Sequence, residues 1–378
     1  MSLAKTSPAR IAITINTSWN IYNFRQPLIR SLQSAGYQVV CFAPTDKYVS
    51  YLAKENIEVH PITQLRRKGK NPVKDLSLVR ELEKAYLAHQ ISLAIHFTIK
   101  PNIYGSIAAH RTGIPSISVV TGLGYTFLSN GLSSRVAKYL YRYAFKKNQL
   151  TIFQNPDDRD LFIQQKLVSG ERSAVVLGSG IDIDEYKMDT PVPPSPTYLF
   201  VGRLLYDKGI RELLDGFLQY SEKYPDARLT VLGDPDPQNP SSITEQELTY
   251  YRNQKGIEFI GFQNDVRPYI RKAATVILPS YREGVPRTLL EPLSIGRPLI
   301  TTDVPGCREV VIPGHNGWMI PPHDSRALAS ALEEFHTTTP DRKQEMGRNS
   351  RLLAETRFST HVVNKQYLDW VEKILKSH

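Results

Sequence analysis

Two glutamates stand eight residues apart in the stretch EGVPRTLLE, which runs from Glu283 to Glu291. The preceding stretch, ATVILPSYR, predicts a strand that ends in a polar turn, so Glu283 lies at the mouth of a strand. Pro286 suits the first turn of a helix, and Gly284 lets the backbone come close to a ligand. The glutamates are therefore either solvated helix residues or two carboxylates that face one ligand from two sides.

The start of this predicted helix has the composition of an anion site. Backbone amides at a helix N-terminus lack intrahelical partners and bind phosphate groups. The amides concerned are those of Gly284, Val285, Arg287 and Thr288. A carboxylate accepts hydrogen bonds from paired hydroxyls, so Glu291 suits a ribose diol and Glu283 suits a sugar held beside the phosphates. Pro292, directly after Glu291, predicts a kinked helix or a delayed start.

A second motif, FVGRLLYDKG, carries two cations just after another predicted strand. Arg203 can form a forked contact and Lys208 a point contact, so together they can flank a diphosphate. The alternative is that both are solvated loop residues. Asp234 and Asp236 in VLGDPD form the D-x-D pattern of some metal-dependent transferases. Because they begin a loop rich in Pro and Asn, we interpret them as turn residues and predict no metal site.

The elements that must position these residues alternate along the whole chain. Short β-rich runs such as RIAITIN, SLAIHF and TVILPS are separated by amphipathic helical stretches. This alternation predicts an α/β protein with parallel sheets covered by helices. The segment YKMDTPVPPSPTYLF carries four prolines and is typical of a stiff linker. We therefore predict two doubly wound, Rossmann-like domains, at residues 1–190 and 191–357, that face each other across a cleft. A closing helix at 358–378 is expected to pack back towards the first domain.

Bulk composition indicates a soluble globular protein. The 378 residues are 41% hydrophobic and 22% charged, which are ordinary values. The two cysteines, Cys41 and Cys307, are far apart in sequence, so a disulfide framework is not expected. The N-terminus lacks the apolar core of a signal peptide, and no stretch reaches the length of a membrane span. We expect a cytoplasmic protein.

The net charge of +10 is unevenly distributed. Residues 1–190 hold 24 Lys and Arg against 14 Asp and Glu, whereas residues 191–378 hold 23 of each. A basic first half predicts an acidic partner: nucleic acid, an anionic membrane surface or a phosphorylated substrate.

One predicted helix carries basic residues at spacings of three and four beside Tyr139 and Tyr143, as in helices that lie on anionic lipid. The predicted membrane-facing residues are Arg135, Lys138, Arg142 and Lys146 on this helix and Arg66, Arg67, Lys68 and Lys70 in a loop. The alternative is a solvated helix face with core aromatics behind it.

The order of the second-half motifs resembles that of a known family. VGRLLYDKG, LPSYREGVPRTLLEPLSIGRPLI, TTDVPGCREVV and NGWMIPPHD are similar to the signature run of retaining GT-B glycosyltransferases of the GT4 family. In the first half, TSWNIYNFRQPLIRSL and VVTGLGYTFLSNG resemble the branch that acts on undecaprenyl-diphosphate-linked sugars. Many relatives place a histidine after a late first-domain strand. Here that region reads SVVTGLG and contains no histidine. His96, in AIHFTIKPN, ends an earlier predicted strand and is either a residue of the cleft or a core or loop histidine.

The resemblance implies a role for each residue. Glu291 would hold the nucleotide ribose, Glu283 would contact the donor sugar, and Arg203 and Lys208 would neutralise the diphosphate. The expected reaction moves a sugar, such as N-acetylgalactosamine, from a UDP-sugar to an undecaprenyl-diphosphate-linked saccharide. It needs no cofactor and takes place at the inner face of the cell membrane. The residues expected to contact the acceptor or the sugar are Asn20, Tyr22, Arg25, His96, Gly122 and Gly124.

Two other functions remain open at this point. A GT-B-fold UDP-sugar epimerase would need an acid/base pair in the cleft and no affinity for lipid. A nucleic-acid-binding protein would use the basic half, but the chain has no recognisable nucleic-acid motif. No G-x-G-x-x-G pattern follows the first strand, so a dehydrogenase is not expected.

Overall fold

The computed structural model describes residues 8–65, 72–123 and 131–378. The chain divides into two compact units. The first comprises Met1–Ser179 together with Val363–His378, and the second comprises Gly180–Val362.

The first unit contains a seven-stranded sheet with the order β3-β2-β1-β4-β5-β6-β7. All pairings between these strands are parallel. The strands are β1 (Arg10–Thr14), β2 (Gln38–Ala43), β3 (Glu58–Pro61), β4 (Leu93–Phe97), β5 (Ser116–Val120), β6 (Leu150–Phe153) and β7 (Ser173–Val175).

Helices of the first unit connect successive strands, as a parallel sheet requires. Within the described residues they are α1 (Ser18–Asn20), α2 (Gln26–Ser34), α3 (Tyr48–Lys54), α4 (Pro72–Ala88), α5 (Ser106–Arg111), α6 (Leu132–Phe145) and α7 (Pro156–Gln164). Two π-helical segments, Ile21–Arg25 and Pro101–Gly105, precede α2 and α5. These segments follow β1 and β4, the two central strands of the sheet.

Side chains of β1 are buried on both faces of the sheet. Ile11 and Ile13 pack in one core cluster with residues of α2, whereas Ala12 packs in another with residues of α4 and α5. This burial explains why the strand is almost wholly apolar. The last helix of the chain, α14 (Thr360–Lys376), adds Val363, Tyr367 and other residues to the first of these clusters.

The second unit contains a six-stranded parallel sheet with the order β10-β9-β8-β11-β12-β13. Its strands are β8 (Thr197–Val201), β9 (Arg228–Leu232), β10 (Ile257–Gly261), β11 (Thr275–Leu278), β12 (Leu299–Thr302) and β13 (Gly317–Ile320). Its helices are α8 (Ile210–Lys223), α9 (Glu245–Arg252), α10 (Arg267–Lys272), α11 (Arg287–Ser294), α12 (Ser325–Thr337) and α13 (Pro340–Leu353). The predicted α/β fold class is confirmed.

The predicted domain boundary at residue 190 is wrong by about one short segment, since the units divide between Ser179 and Gly180. Residues between the two positions bond within the second unit. The Ser294 hydroxyl donates to the carbonyl of Tyr186 at 2.7 Å. The proline-rich stretch is also part of that unit, because the amide of Val192 donates to the Gln344 side chain at 3.0 Å. It is therefore packed structure and not an interdomain linker.

The region after β12 also differs from expectation. The glycines of the stretch GHNGWMIPPHD predict a Gly-rich hairpin, but Gly317–Ile320 form β13, which pairs in parallel with β12. Gly317 stands where β13 meets β12, and a Cβ atom there would collide with the carbonyl oxygen of Leu299. The glycine thus permits close approach of two backbones and does not mark a hairpin.

Candidate active site

Glu283 lies in the loop between β11 and α11, where Lys208 and Ser280 form hydrogen bonds with its carboxylate. Lys208 Nζ donates to Glu283 Oε1, and Ser280 Oγ donates to the same oxygen at 2.8 Å. The Glu283 amide donates to the carbonyl of Pro305 at 3.0 Å, which fixes the backbone as well. Lys208 follows β8, and β8 pairs directly with β11. Adjacent strand ends thus bring together two motifs that are 75 residues apart in sequence.

Two glycines with positive φ allow close packing of the turn that carries Lys208 and of the loop that carries Glu283. Gly209, at φ +68°, ends the turn that carries Lys208, and a Cβ atom there would collide with the carbonyl oxygen of Pro279. Gly306, at φ +88°, packs against the backbone of the loop that carries Glu283. Only a glycine accommodates both the backbone conformation and the close approach.

Arg203 also follows β8, but its guanidinium pairs with Asp236 at 2.9 Å. The amide of Asp236 donates to Ser242 Oγ at 3.0 Å, so Asp236 belongs to a hydrogen-bonded turn. Among the residues that the structure describes, no group of three or more His, Cys, Asp or Glu could hold a metal ion. Arg203 is half exposed, and an anionic ligand can compete with Asp236 for it.

The helix α11 begins at Arg287, with Pro286 as its N-cap. The predicted anion site therefore lies at the start of a real helix, where the helix dipole favours negative charge. Pro292 is inside the helix and cannot donate to the carbonyl one turn earlier. The helix continues to Ser294, so of the two predicted effects of Pro292, a kink or a delayed start, the delayed start does not occur. Val285 is buried, whereas Thr288 is half-buried.

Glu291 is the second carboxylate of the opening motif, and it is 9% exposed. It forms an ion pair with Arg287, with 2.9 Å between Oε1 and Nε, and accepts a hydrogen bond from Tyr186 at 3.2 Å. Burial raises the pKa of Glu291, and the Arg287 charge opposes that shift. Tyr186 has no motif around it in the sequence, so sequence reasoning missed it.

In the first unit, the side chain of His96 is not accessible to a ligand. The side chain is fully buried on β4, and burial lowers its pKa to about 3. Its two ring nitrogens contact Tyr86 at 3.2 Å and Ser106 at 3.3 Å inside the sheet–helix packing. The predicted contact of His96 with acceptor or sugar is therefore corrected: His96 is a neutral core residue.

The other first-unit candidates follow strand ends. Asn20, Tyr22 and Arg25 lie after β1, in α1 and the π-helical segment, and Gly122 lies two residues after β5 with φ +129°. Tyr22 is 36% exposed, whereas Arg25 is buried. Gly124 lies outside the described residues.

On α6, Arg135, Arg142 and the following Lys146 are exposed and Lys138 is half-buried. Tyr139 and Tyr143 lie between them and are 68% and 46% exposed. The aromatic residues of this face thus point outward, contrary to the alternative that they form core. The loop cluster of Arg66, Arg67, Lys68 and Lys70 lies outside the described residues. No helix in the described ranges is long and apolar enough to cross a membrane.

Comparisons with known proteins identify the family of the chain. Residues 182–353 match the family model "Glycosyl transferases group 1", and residues 10–155 match "Glycosyl transferase 4-like". The chain is 22% identical to the Campylobacter jejuni N,N'-diacetylbacillosaminyl-diphospho-undecaprenol α-1,3-N-acetylgalactosaminyltransferase, over 97% of this chain and all of that protein. It is 26% identical to the Escherichia coli UDP-Gal:α-D-GlcNAc-diphosphoundecaprenol α-1,3-galactosyltransferase, over 69% of this chain and 70% of that protein.

Among solved structures, Anabaena HepE in complex with UDP superposes with a TM-score of 0.80 at 21% identity, over 97% of this chain and all of that one. The two family models together match most of the chain, and they match the two units in order. The chain therefore belongs to the group 1 (GT4) glycosyltransferases, and it is a hexosyltransferase with the GT-B fold.

Proposed function

We propose that this glycosyltransferase moves an N-acetylhexosamine, such as N-acetylgalactosamine, from a UDP-sugar to an undecaprenyl-diphosphate-linked saccharide, with retention of configuration. The observation that carries the proposal is the arrangement of Lys208 and Glu283 beside the start of α11, with Glu291 two turns further on. The names of two relatives, which specify undecaprenyl-diphosphate-linked substrates, supply the acceptor class.

In the proposed reaction, the bond between the anomeric carbon and the β-phosphate oxygen breaks as the acceptor hydroxyl attacks from the same face. The departing phosphate takes the proton of that hydroxyl, so no protein nucleophile is required. Lys208, Arg203 and the amides at the start of α11 stabilise the charge on the phosphate, which is the kind of interaction that usually dominates catalysis. In other transferases a divalent metal ion stabilises the charge on the departing phosphate, and here these cations and amides would do so instead. We therefore expect activity to persist in the presence of a chelator.

Glu283 has a positioning role in this scheme. Its carboxylate accepts hydrogen bonds from Lys208 and Ser280. A bound diphosphate competes for Lys208, which frees hydrogen-bonding capacity on Glu283 for hydroxyl groups of the donor sugar. The same carboxylate then opposes the positive charge that develops on the sugar ring.

We also propose that the protein works at the inner face of the cell membrane. The exposed basic and aromatic residues of α6 support this location, since such a face binds anionic lipid. A lipid-diphosphate acceptor explains the basic first half better than a nucleic acid does.

The test is UDP release from a panel of UDP-sugars, with and without a polyprenyl-diphosphate-linked saccharide. Wild type is compared with Glu283→Gln and with a control, Glu222→Gln, which changes an exposed glutamate of α8. Acceptor-dependent release that Glu283→Gln lowers by about 100-fold or more, and that the control retains, supports the proposal. Unchanged release in Glu283→Gln would remove Glu283 from the reaction. An anomeric configuration inverted in the product, observed by NMR, would contradict retention.

A further inference from the structure

Arg25 is a buried arginine without a counter-ion. Its side chain is 4% exposed, and its guanidinium lies 4.1 Å from the centre of the Phe97 ring. Within the described part of the chain, Nε has no hydrogen-bond partner and no carboxylate pairs with the guanidinium. Burial lowers the pKa of Arg25 to about 10, an effect that nearby Tyr367 opposes. Arg25 therefore remains charged at neutral pH.

Such an arrangement is unfavourable for the protein alone. Removing a cation from water has a large free-energy cost, which an ion pair or hydrogen bonds normally offset. The face of the Phe97 ring offsets only part of it. The remaining free-energy cost of burying the charge is explained if Arg25 binds an anionic ligand.

Further buried polar atoms without a partner belong to the segments that follow β1 and β4 and to α14. They are Asn20 Oδ1, Thr98 Oγ1, Asn102 Oδ1 and Tyr367 OH. Asn20 and Arg25 follow β1, whereas Thr98 directly follows β4, and these two strands are neighbours in the sheet. Tyr367 comes from α14, the last helix of the chain. Unsatisfied buried polar groups are rare in folded proteins, so their concentration at two adjacent strand ends indicates a ligand site.

Backbone conformation supports the same conclusion. Thr98 has φ +72°, in the left-handed region, which is a genuine outlier for a β-branched residue. Strained residues of this kind concentrate at ligand sites, where the surrounding structure holds them. In open α/β sheets, ligands bind at the carboxyl ends of the strands, and Thr98 occupies that position on β4.

We propose that Arg25 is the cationic centre of an oxyanion site at the carboxyl ends of β1 and β4, and that the site binds a phosphate group of the lipid-diphosphate acceptor. The guanidinium supplies a fork that matches phosphate geometry. The hydroxyls of Thr98 and Tyr367 supply two further donors. The identity of the ligand rests on the proposed function, whereas the existence of the site does not.

The test separates an anion site from a structural role by the sign of a stability change. Arg25→Met removes the charge and keeps an unbranched apolar side chain beside Phe97. If Arg25 serves a ligand, this variant has the same thermal midpoint as wild type or a higher one, because a buried unpaired charge is removed. A midpoint lowered by several degrees would show a structural role and overturn the proposal. Arg30→Met is the control, since Arg30 forms a surface pair with Glu55.

Binding is measured with inorganic pyrophosphate as the probe, by calorimetry. Wild type and Arg30→Met should bind it, and Arg25→Met should bind it about 10- to 100-fold more weakly. Tyr367→Phe should have a smaller effect in the same direction. Equal affinity of wild type and Arg25→Met for pyrophosphate would overturn the proposed anion site. This measurement does not depend on whether the protein transfers a sugar.

The source of the phosphate is decided by two further measurements. We expect Arg25→Met to raise KM for the polyprenyl-diphosphate-linked acceptor by about 10- to 100-fold, while Kd for UDP changes less than about twofold. Arg25→Lys, which keeps the charge without the fork, should lie between wild type and Arg25→Met. Loss of UDP affinity in Arg25→Met with an unchanged acceptor KM would assign the site to the donor and overturn the acceptor assignment.

Discussion

At the scale of single residues, Glu291 has two partners before any ligand binds. Arg287 neutralises its charge and Tyr186 donates a hydrogen bond to it. Both partners restrict the carboxylate to one position, which reduces the entropy that a nucleotide must overcome on binding. A preorganised acceptor of this kind suits a pair of neighbouring hydroxyls, as on a ribose.

We therefore expect Glu291→Gln to weaken UDP binding by about 10- to 100-fold, because a charged acceptor is replaced by a neutral one. Tyr186→Phe should weaken it by about tenfold or less, since the carboxylate remains but loses one of its two supports. Calorimetric titration with UDP measures both effects. The exposed Glu222→Gln serves as the control, and equal affinity of Glu291→Gln and wild type would contradict the ribose role.

At the scale of elements, the loop between β11 and α11 depends on a glycine from another loop. Gly306 has φ +88°, and a Cβ atom there would collide with the carbonyl oxygens of Glu283 and Gly284. Gly306→Ala must therefore displace the loop that positions Glu283. We expect transferase activity to fall by about 100-fold, because small displacements of positioning groups have large effects on rate.

Gly314→Ala is a matched control for this prediction. Gly314 also has a positive φ, +72°, but a Cβ atom there would meet nothing within 4 Å. The control carries only the backbone strain of about 1 to 2 kcal/mol, so its thermal midpoint falls while its kcat is retained. Equal losses of kcat in the two variants would mean that backbone strain alone, and not displacement of Glu283, causes the effect.

Helix α9 begins with a capping box whose acid residue makes stability depend on pH. Thr244 Oγ1 accepts from the Glu247 amide, and Glu247 in turn accepts from Thr244, Tyr206 and Arg211. Burial would raise the pKa of Glu247, but these hydrogen bonds outweigh it and lower the pKa to about 2. A carboxyl whose pKa is lowered in the folded state stabilises that state above its unfolded pKa of about 4.3.

We therefore expect Glu247→Gln to lower the free energy of unfolding at pH 7. The difference from wild type should shrink as the pH falls from about 5 towards 2, where wild-type Glu247 becomes protonated as well. Urea unfolding at several pH values measures this. Glu245→Gln, on the same helix but more exposed, is the control. A difference for Glu247→Gln that stays constant with pH would contradict the role of its charge.

Strands and motifs could be predicted from the sequence, whereas particular contacts could not. β1 and β11 were evident because strands buried on both faces are continuous apolar runs. β13 was missed because it is a four-residue edge strand that begins with a glycine. Tyr186 was missed because its partner Glu291 is 105 residues away, and no local pattern records such a contact. The sequence around His96 fits both a ligand-binding and a core histidine, and only its complete burial in the structure identifies it as a core residue.

At the scale of the whole molecule, the excess positive charge lies in residues 1–190. On α6 that charge lies beside Tyr139 and Tyr143, which are exposed where a solvated helix would normally present small or polar residues. Basic side chains attract an anionic surface over about a Debye length, and aromatic rings then insert at the level of the headgroups. The basic residues act over a longer distance than the aromatic rings. Salt should therefore weaken the contribution of the basic residues to membrane binding more than that of the aromatic residues.

We expect the double substitution Arg135→Glu with Arg142→Glu to lower binding to phosphatidylglycerol vesicles by about 30-fold or more at 0.1 M salt, since each basic residue contributes about 1 kcal/mol. Tyr139→Ala should weaken binding at both low and high salt, whereas the charge effect should fade as salt rises. Vesicle sedimentation measures both. The control reverses Arg326 and Arg348, two exposed arginines of the second unit, and produces the same change in net charge. Equal losses in the control and the α6 variant would attribute binding to overall charge and not to this helix, and retained binding in both would remove α6 from the membrane-facing surface.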